Sequence, residues 1–209
     1  KWAAELGIVT SWIFLIDVPG ERDEWYVEML TWLPLVMHLE PPSFAVPIQF
    51  MRFSPYHRDA ARYGFDLVPE PAYRQVYPLA EDELRELAYQ FIDRRASHEE
   101  GIGRRLLLGW LGIWREAHRN GTRPVLAMRH DGDGALDITD TRTCRVADQH
   151  RLEGDAAALY LACDEAADRN ALRGRLQVER FDEIVAQLVA DKLLLPLGER
   201  LLALAVEAR

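Results

Sequence analysis

The stretch Ser11-Trp-Ile-Phe-Leu-Ile-Asp-Val-Pro-Gly-Glu21 constrains the fold of this chain more than any other. A run of β-branched and aromatic residues stopped by Pro-Gly predicts a buried strand opening into a turn, and the following Glu21-Arg-Asp-Glu-Trp-Tyr26 starts a helix. Residues 1–6 read as a helix end with Gly7 as its cap, so residues 8–16 are the strand of a βα step. In parallel α/β proteins ligands sit at the carboxyl ends of strands, which makes this acidic turn the first place to look for chemistry. Asp17 and Glu21 are its candidate acid–base groups, with a plain structural turn as the alternative.

Residues 21–38 have the apolar spacing of a helix, carrying Trp25, Met29, Trp32, Leu33 and Val36 near one face, with Pro34 as a kink or split. Asp23 and Glu24 suit its positive N-terminal end. Residues 46–53 alternate as a strand that ends at Ser54-Pro-Tyr-His57. The polar cluster Arg52, Ser54, Tyr56 and His57 at that end resembles a pocket floor. The alternative is that Arg52 pairs with Asp17 or Glu21 and ties two loops together. Residues 57–78, dense in Pro, Tyr and Arg, predict a long ordered loop. A helix follows over 81–94 with Leu84, Leu87, Ala88 and Phe91 at helical spacing, and a second over 97–118, opened by a Ser97–Glu100 capping box and stopped by Asn120-Gly121.

The pattern changes near residue 121, where a domain boundary is placed. Residues 125–130 and 135–141 are strands joined by Asp131-Gly-Asp-Gly134, a strong hairpin signal. Helices over 155–164, 171–176 and 180–191 and a closing hairpin over 193–206 complete the element order of a winged helix. From Arg123 to Arg209 there are about 12 basic and about 16 acidic residues, the wrong sign for a module held by phosphate contacts. Peptide binding by strand addition suits such a domain better, the alternative being a module that only packs on its neighbour.

Charge and composition exclude further classes. The net charge of −9, with Lys1 and Lys192 the only lysines, offers no general attraction to nucleic acid or anionic lipid. Hydrophobic residues make up 49% of the chain, ample for a core, yet no apolar run approaches the roughly 20 residues that span a bilayer. A soluble cytoplasmic protein is expected. Cys144 and Cys163 form no disulfide framework or metal pair, and the six histidines show no zinc spacing, so no metal site is assigned. Asp131-Gly-Asp-Gly134 lacks the later acidic ligand of a calcium loop and reads as a turn. A start at Lys1, with neither an initiating Met nor a signal-peptide pattern, gives the expectation of further chain upstream.

Several segments, taken in order, resemble one family: the radical S-adenosylmethionine proteins that mature ribosomally made peptides, in the type with an upstream cobalamin-binding domain. They are Val18-Pro-Gly-Glu21 with Glu24-Trp-Tyr26; Leu33-Pro-Leu35 with Leu39-Glu-Pro-Pro-Ser43; Arg52-Phe-Ser-Pro-Tyr56; Pro71-Ala-Tyr73 with Val76-Tyr-Pro78; Asp140-Thr-Arg142; and Ala158-Leu-Tyr-Leu-Ala-Cys-Asp164. The resemblance implies an α/β fold in which residues 1–95 are a partial (β/α) barrel remnant. Residues 96–121 would be a connecting helix and 122–209 a winged-helix-like, peptide-binding α+β domain. By position, Glu21, Arg52 and Tyr56 would line the S-adenosylmethionine and substrate side. The family's Cys-x-x-x-Cys-x-x-Cys cluster motif is absent, and Asp17 stands where the family carries a glycine.

Three functions follow as expectations. The first is a truncated, cluster-free relative that holds a precursor peptide, with Trp12, Ser54, Tyr56, Tyr73 and Tyr77 as contacts, working as a homo-oligomer or beside a partner enzyme. No cofactor is then needed within this chain. The second is a cluster-independent peptide-modifying enzyme in which Asp17 or Glu21 is the base and Arg52 or His57 steadies negative charge. The third is the C-terminal part of a complete radical enzyme, which would bring S-adenosylmethionine, an iron–sulfur cluster and cobalamin only with the missing upstream part.

Overall fold

The βα step forms, with shorter bounds than expected. In the computed structural model, which describes residues 1–95 and 101–208, helix α1 (Trp2–Glu5) is followed by an irregular segment, strand β1 (Ile13–Ile16) and helix α2 (Asp23–Trp32). Pro34 splits the helix expected over 21–38: α2 ends at Trp32 and a 3-10 turn carries Leu33–Val36, because a prolyl ring has no N–H for the helical ladder. The strand expected over 46–53 is likewise two pieces, β2 (Phe44–Pro47) and β3 (Phe50–Met51). β1 and β2 pair as a two-stranded sheet.

Residues 57–78 are more regular than a loop. They overlap or contain α3 (Pro55–Arg58), α4 (Ala60–Tyr63), β4 (Leu67–Pro69) and α5 (Ala72–Val76). The helix expected over 81–94 stops early, as α6 (Glu81–Leu87), and Phe91 belongs instead to β5 (Gln90–Asp93). β5 is the middle strand of the antiparallel sheet β3-β5-β4, with Phe91 opposite Phe50 and Ile92 opposite Val68.

Helix α7 (Ile102–Arg119) is the long helix expected before residue 121; the Ser97–Glu100 capping box lies outside the described residues. Its first turn is capped from another helix. The Asp23 carboxylate, expected to serve its own helix, accepts the N–H groups of Gly103 at 2.7 Å and Arg104 at 2.9 Å. The hairpin of β6 (Leu126–His130) and β7 (Leu136–Asp140) follows, its turn closed by Gly134 N–H donating to the Asp131 carbonyl at 3.0 Å. Next come β8 (Gln149–Leu152), α8 (Gly154–Ala162), β9 (Ala167–Asp168), α9 (Arg169–Leu176) and α10 (Phe181–Ala190). The chain closes with β10 (Leu194–Leu197), β11 (Arg200–Ala203) and β12 (Val206–Glu207). Two sheets result, β12-β6-β7-β8, in which only β12 runs parallel to its neighbour, and the antiparallel β10-β11-β9. The fold is mixed α/β with several small sheets and, among the described residues, no closed barrel.

The chain divides into two units. The first comprises Lys1–Phe14, Arg22–Phe44 and Ile102–Arg209, and the second Leu15–Glu21 and Ala45–Gly101. The first is built on Leu136 and Ile138 of the sheet, Leu159, Tyr160 and Phe181 of the helices, and Leu193, Leu194 and Leu201 of the last hairpin. Inside it sits a fully buried ion pair: the Arg142 guanidinium meets the Asp140 carboxylate at 2.6 and 2.9 Å and gives two more donors to the carbonyls of Leu35 and Lys192. Those bonds fasten the 3-10 turn to the strand end, which is how a buried charge is tolerated. The second unit has a smaller core of Phe50, Leu67, Ala88 and Phe91, bordered by Tyr56, Phe65 and Tyr73. No described helix is long and apolar enough to cross a membrane.

Candidate functional site

The acidic turn after β1 lies in the second unit. Asp17 holds a left-handed backbone at φ 58°, a conformation that glycine adopts freely and Asp or Asn better than most other residues. The Glu21 carboxylate accepts the Val18 N–H at 2.9 Å while the Glu21 N–H donates to the Val18 carbonyl at 2.9 Å. One oxygen of the expected base is therefore engaged in closing its own turn.

Two of the four residues expected to form a pocket floor, Arg52 and His57, line a recess of the same unit. A cavity of about 500 Å³ is lined by Arg52, His57, Ala60, Ala61, Phe65, Asp66, Leu67, Arg85 and Phe91. Among the described residues Arg52 pairs with no carboxylate; its Nε donates to the Ala88 carbonyl at 2.6 Å and its Nη2 to the Arg85 carbonyl, at the C-terminal end of α6. Its guanidinium also stands 5.4 Å from the Phe91 ring centroid, and the His57 ring lies 4.6 Å from that ring. Burial, and then the Arg52 charge, hold the His57 pKa below its ordinary value, so at neutral pH the imidazole is uncharged. Ser54 is the N-cap of α3, accepting the His57 N–H at 3.2 Å. Tyr56 packs edge-on to Phe50 at 6.0 Å, and the Tyr73 hydroxyl accepts the N–H groups of Tyr89 and Gln90 at 3.0 and 3.4 Å with Tyr77 stacked on its ring. Of the expected catalytic groups, Arg52 and His57 thus share a cavity, whereas the expected contacts Ser54, Tyr56 and Tyr73 hold the scaffold around it. Arg85, which escapes sequence reading because it sits on an ordinary amphipathic helix, joins them.

Trp12 belongs to the first unit, in a different cavity. A groove of about 550 Å³ has Trp12, Phe14, Trp32, Leu33, Leu39 and Trp114 as its principal apolar walls, with residues 7–10 along one side. The aromatic floor is fixed by hydrogen bonds: the indole N–H of Trp12 donates to the Glu40 carbonyl at 3.0 Å and that of Trp114 to the Leu39 carbonyl at 3.1 Å, with the two rings edge to face at 6.2 Å. Two opposite charges, the Glu40 carboxylate and the Arg123 guanidinium, also border the groove, and neither makes an ion pair among the described residues. The irregular segment beside it includes Val9, 92% exposed; among the described residues the backbone groups of Val9 and Thr10 make no hydrogen bond. An aromatic trough beside unpaired backbone groups is equipped to hold an extended peptide. Sequence reading gives Trp12 as a peptide contact and Trp32 as part of an apolar helix face; their gathering with Trp114 on one groove depends on the 3-10 turn and α7, which no local pattern encodes.

Cys144 is half-buried and Cys163 buried, where burial raises the Cys163 thiol pKa to about 11. Among the described residues no group of three or more His, Cys, Asp and Glu side chains is placed to hold a metal ion. Comparison of the chain with protein-family models, with curated proteins and with solved structures gives no match.

Proposed function

We propose that this chain holds a precursor peptide during the maturation of a ribosomally made peptide, as a cluster-free relative of the radical S-adenosylmethionine proteins. The observation that carries the peptide-holding part is the groove of the first unit, where Trp12, Trp32 and Trp114 line a trough beside the unpaired backbone of Val9 and Thr10. Apolar side chains of an extended segment enter the trough, its backbone pairs with residues 9–10, and Glu40 and Arg123 meet its charged groups. The resemblance of the ordered segments supplies the maturation context. It also supplies the finer fold reading, a barrel remnant for residues 1–95 and a winged helix for 122–209; the order α8, β9, α9, α10, β10, β11, with β9 paired to β11, supports the latter. Exposed Ile102, Leu106 and Ile113 on α7 support a homo-oligomer or a partner enzyme. The acidic balance supports the absence of nucleic acid from the partners, and a cytoplasmic location belongs to the same proposal.

A selection of displayed random peptides against the whole chain, counter-selected on a Trp12→Ala variant, tests this. Enrichment of extended apolar sequences that lose binding to Trp12→Ala supports the groove; no enrichment on the parent removes the reading. Incubating a selected peptide with the chain, without reductant or S-adenosylmethionine, separates holding from catalysis. An unchanged peptide mass fits holding, and a changed mass shifts the assignment to an enzyme acting through Asp17 or Glu21.

A further inference from the structure

The recess of the second unit has an electrostatic asymmetry that holding an apolar peptide elsewhere does not use. Two guanidinium groups line it, and neither meets a carboxylate among the described residues: Arg52 donates to the carbonyls of Ala88 and Arg85, and Arg85 Nη1 donates to the Leu67 carbonyl at 3.0 Å. The one carboxylate among the described lining residues, Asp66, is already taken by Arg94, whose Nε and Nη2 reach it at 3.1 and 3.0 Å. The recess therefore keeps two uncompensated positive charges against walls of Phe65, Leu67 and Phe91, where water screens them less than at an open surface. Capping explains why one cation sits at the end of α6. It does not explain a second.

Each guanidinium has five donors, and the carbonyl bonds occupy two on Arg52 and one on Arg85, orienting both groups while leaving donors to spare. Planar forks fixed in this way match the oxygens of a carboxylate or phosphoryl group. We propose that this recess binds an anionic group, a carboxylate or a phosphoryl, between Arg52 and Arg85, with His57 as a third polar contact. The anion relieves the repulsion between the two arginines, and Phe91 beneath Arg52 and His57 serves as their common platform.

Isothermal titration calorimetry of the full chain with inorganic phosphate, and separately with acetate, at an ionic strength held constant with chloride, tests this. The expected result is saturable binding of at least one of the two, weakened about tenfold or more in Arg85→Gln. Arg58→Gln removes the same charge from an exposed position outside the recess and keeps the parent affinity. Phosphate alone points to a phosphorylated ligand, and acetate binding to a carboxylate. Should Arg85→Gln fail to fold, His57→Gln carries the same expectation of weaker binding. Absence of saturable binding for both anions, or an equal loss in Arg58→Gln, overturns the proposal; neither outcome touches the peptide groove, which the peptide selection tests by itself.

Discussion

His38 is 4% exposed; its Nε2 donates to the Leu204 carbonyl at 2.9 Å and its Nδ1 has no hydrogen-bond partner among the described residues. Burial, and then the neighbouring Arg142 charge, bring its pKa down to about 3. The sign follows from that direction. Below about 6.5 the unfolded chain takes up a proton that folded His38 refuses, so stability present above that pH is lost as the pH falls toward 3, at about 1.4 kcal/mol per unit for this group. Urea unfolding at pH 7 and pH 5 is expected to show the parent losing about 2 kcal/mol more than a His38→Gln variant, whose amide keeps the bond to Leu204. Equal losses would mean that His38 is protonated without cost. At the same scale, Asp140 and Arg142 stand out in the sequence only as an Asp-Thr-Arg segment at the end of a strand; that both are fully buried depends on the carbonyls of Leu35 and Lys192, which are remote in the chain.

Among the elements, the contact of α2 with α7 turns on Gly103. A Cβ there would meet the Asp23 carbonyl oxygen well inside van der Waals distance and Val27 Cγ2 at 2.9 Å, so the close approach requires a glycine. Gly103→Ala is expected to cost about 1–3 kcal/mol in chemical denaturation, and Asp23→Ala about 1–2 kcal/mol through the lost cap, only part of it restored by Asp23→Asn, whose single carbonyl oxygen can accept one of the two N–H groups. Unchanged midpoints in all three variants would show that the two helices are not seated this way. Elements with local signals were legible: the Asp131–Gly134 turn, the Pro34 break and the helices after residue 150. Phe91 was not, since Leu84, Leu87, Ala88 and Phe91 keep helical spacing. The helix stops at Leu87 because Arg52 ties off the last carbonyls and Phe91 packs on Phe50 across a sheet whose partner strands lie far away in sequence. The same distance hid half of the candidate recess: Arg52 and His57 stand out after a strand, while Arg85 gains meaning only when β4 and α6 are folded.

For the molecule as a whole, the two cores differ in size. Among the described residues the second unit's cluster gathers four buried side chains, and the cluster built on Leu136 and Leu159 gathers twenty. Since local opening follows the apolar contacts that must be broken, native-state hydrogen exchange is expected to release the amides of β5 at a lower free energy than those of β7. Simultaneous release of both strands would mean a single cooperative block. The first unit is also assembled from three stretches of chain that alternate with the two of the second, and this sets an order of events during synthesis. Residues 1–44 emerge with Trp12 and Leu33 before α7 and the C-terminal sheet exist to receive them. At about 5–20 residues per second, synthesis from residue 44 to the end of β12 takes roughly 8–33 s, long enough for a nascent chain to need a chaperone over its unclaimed tryptophans.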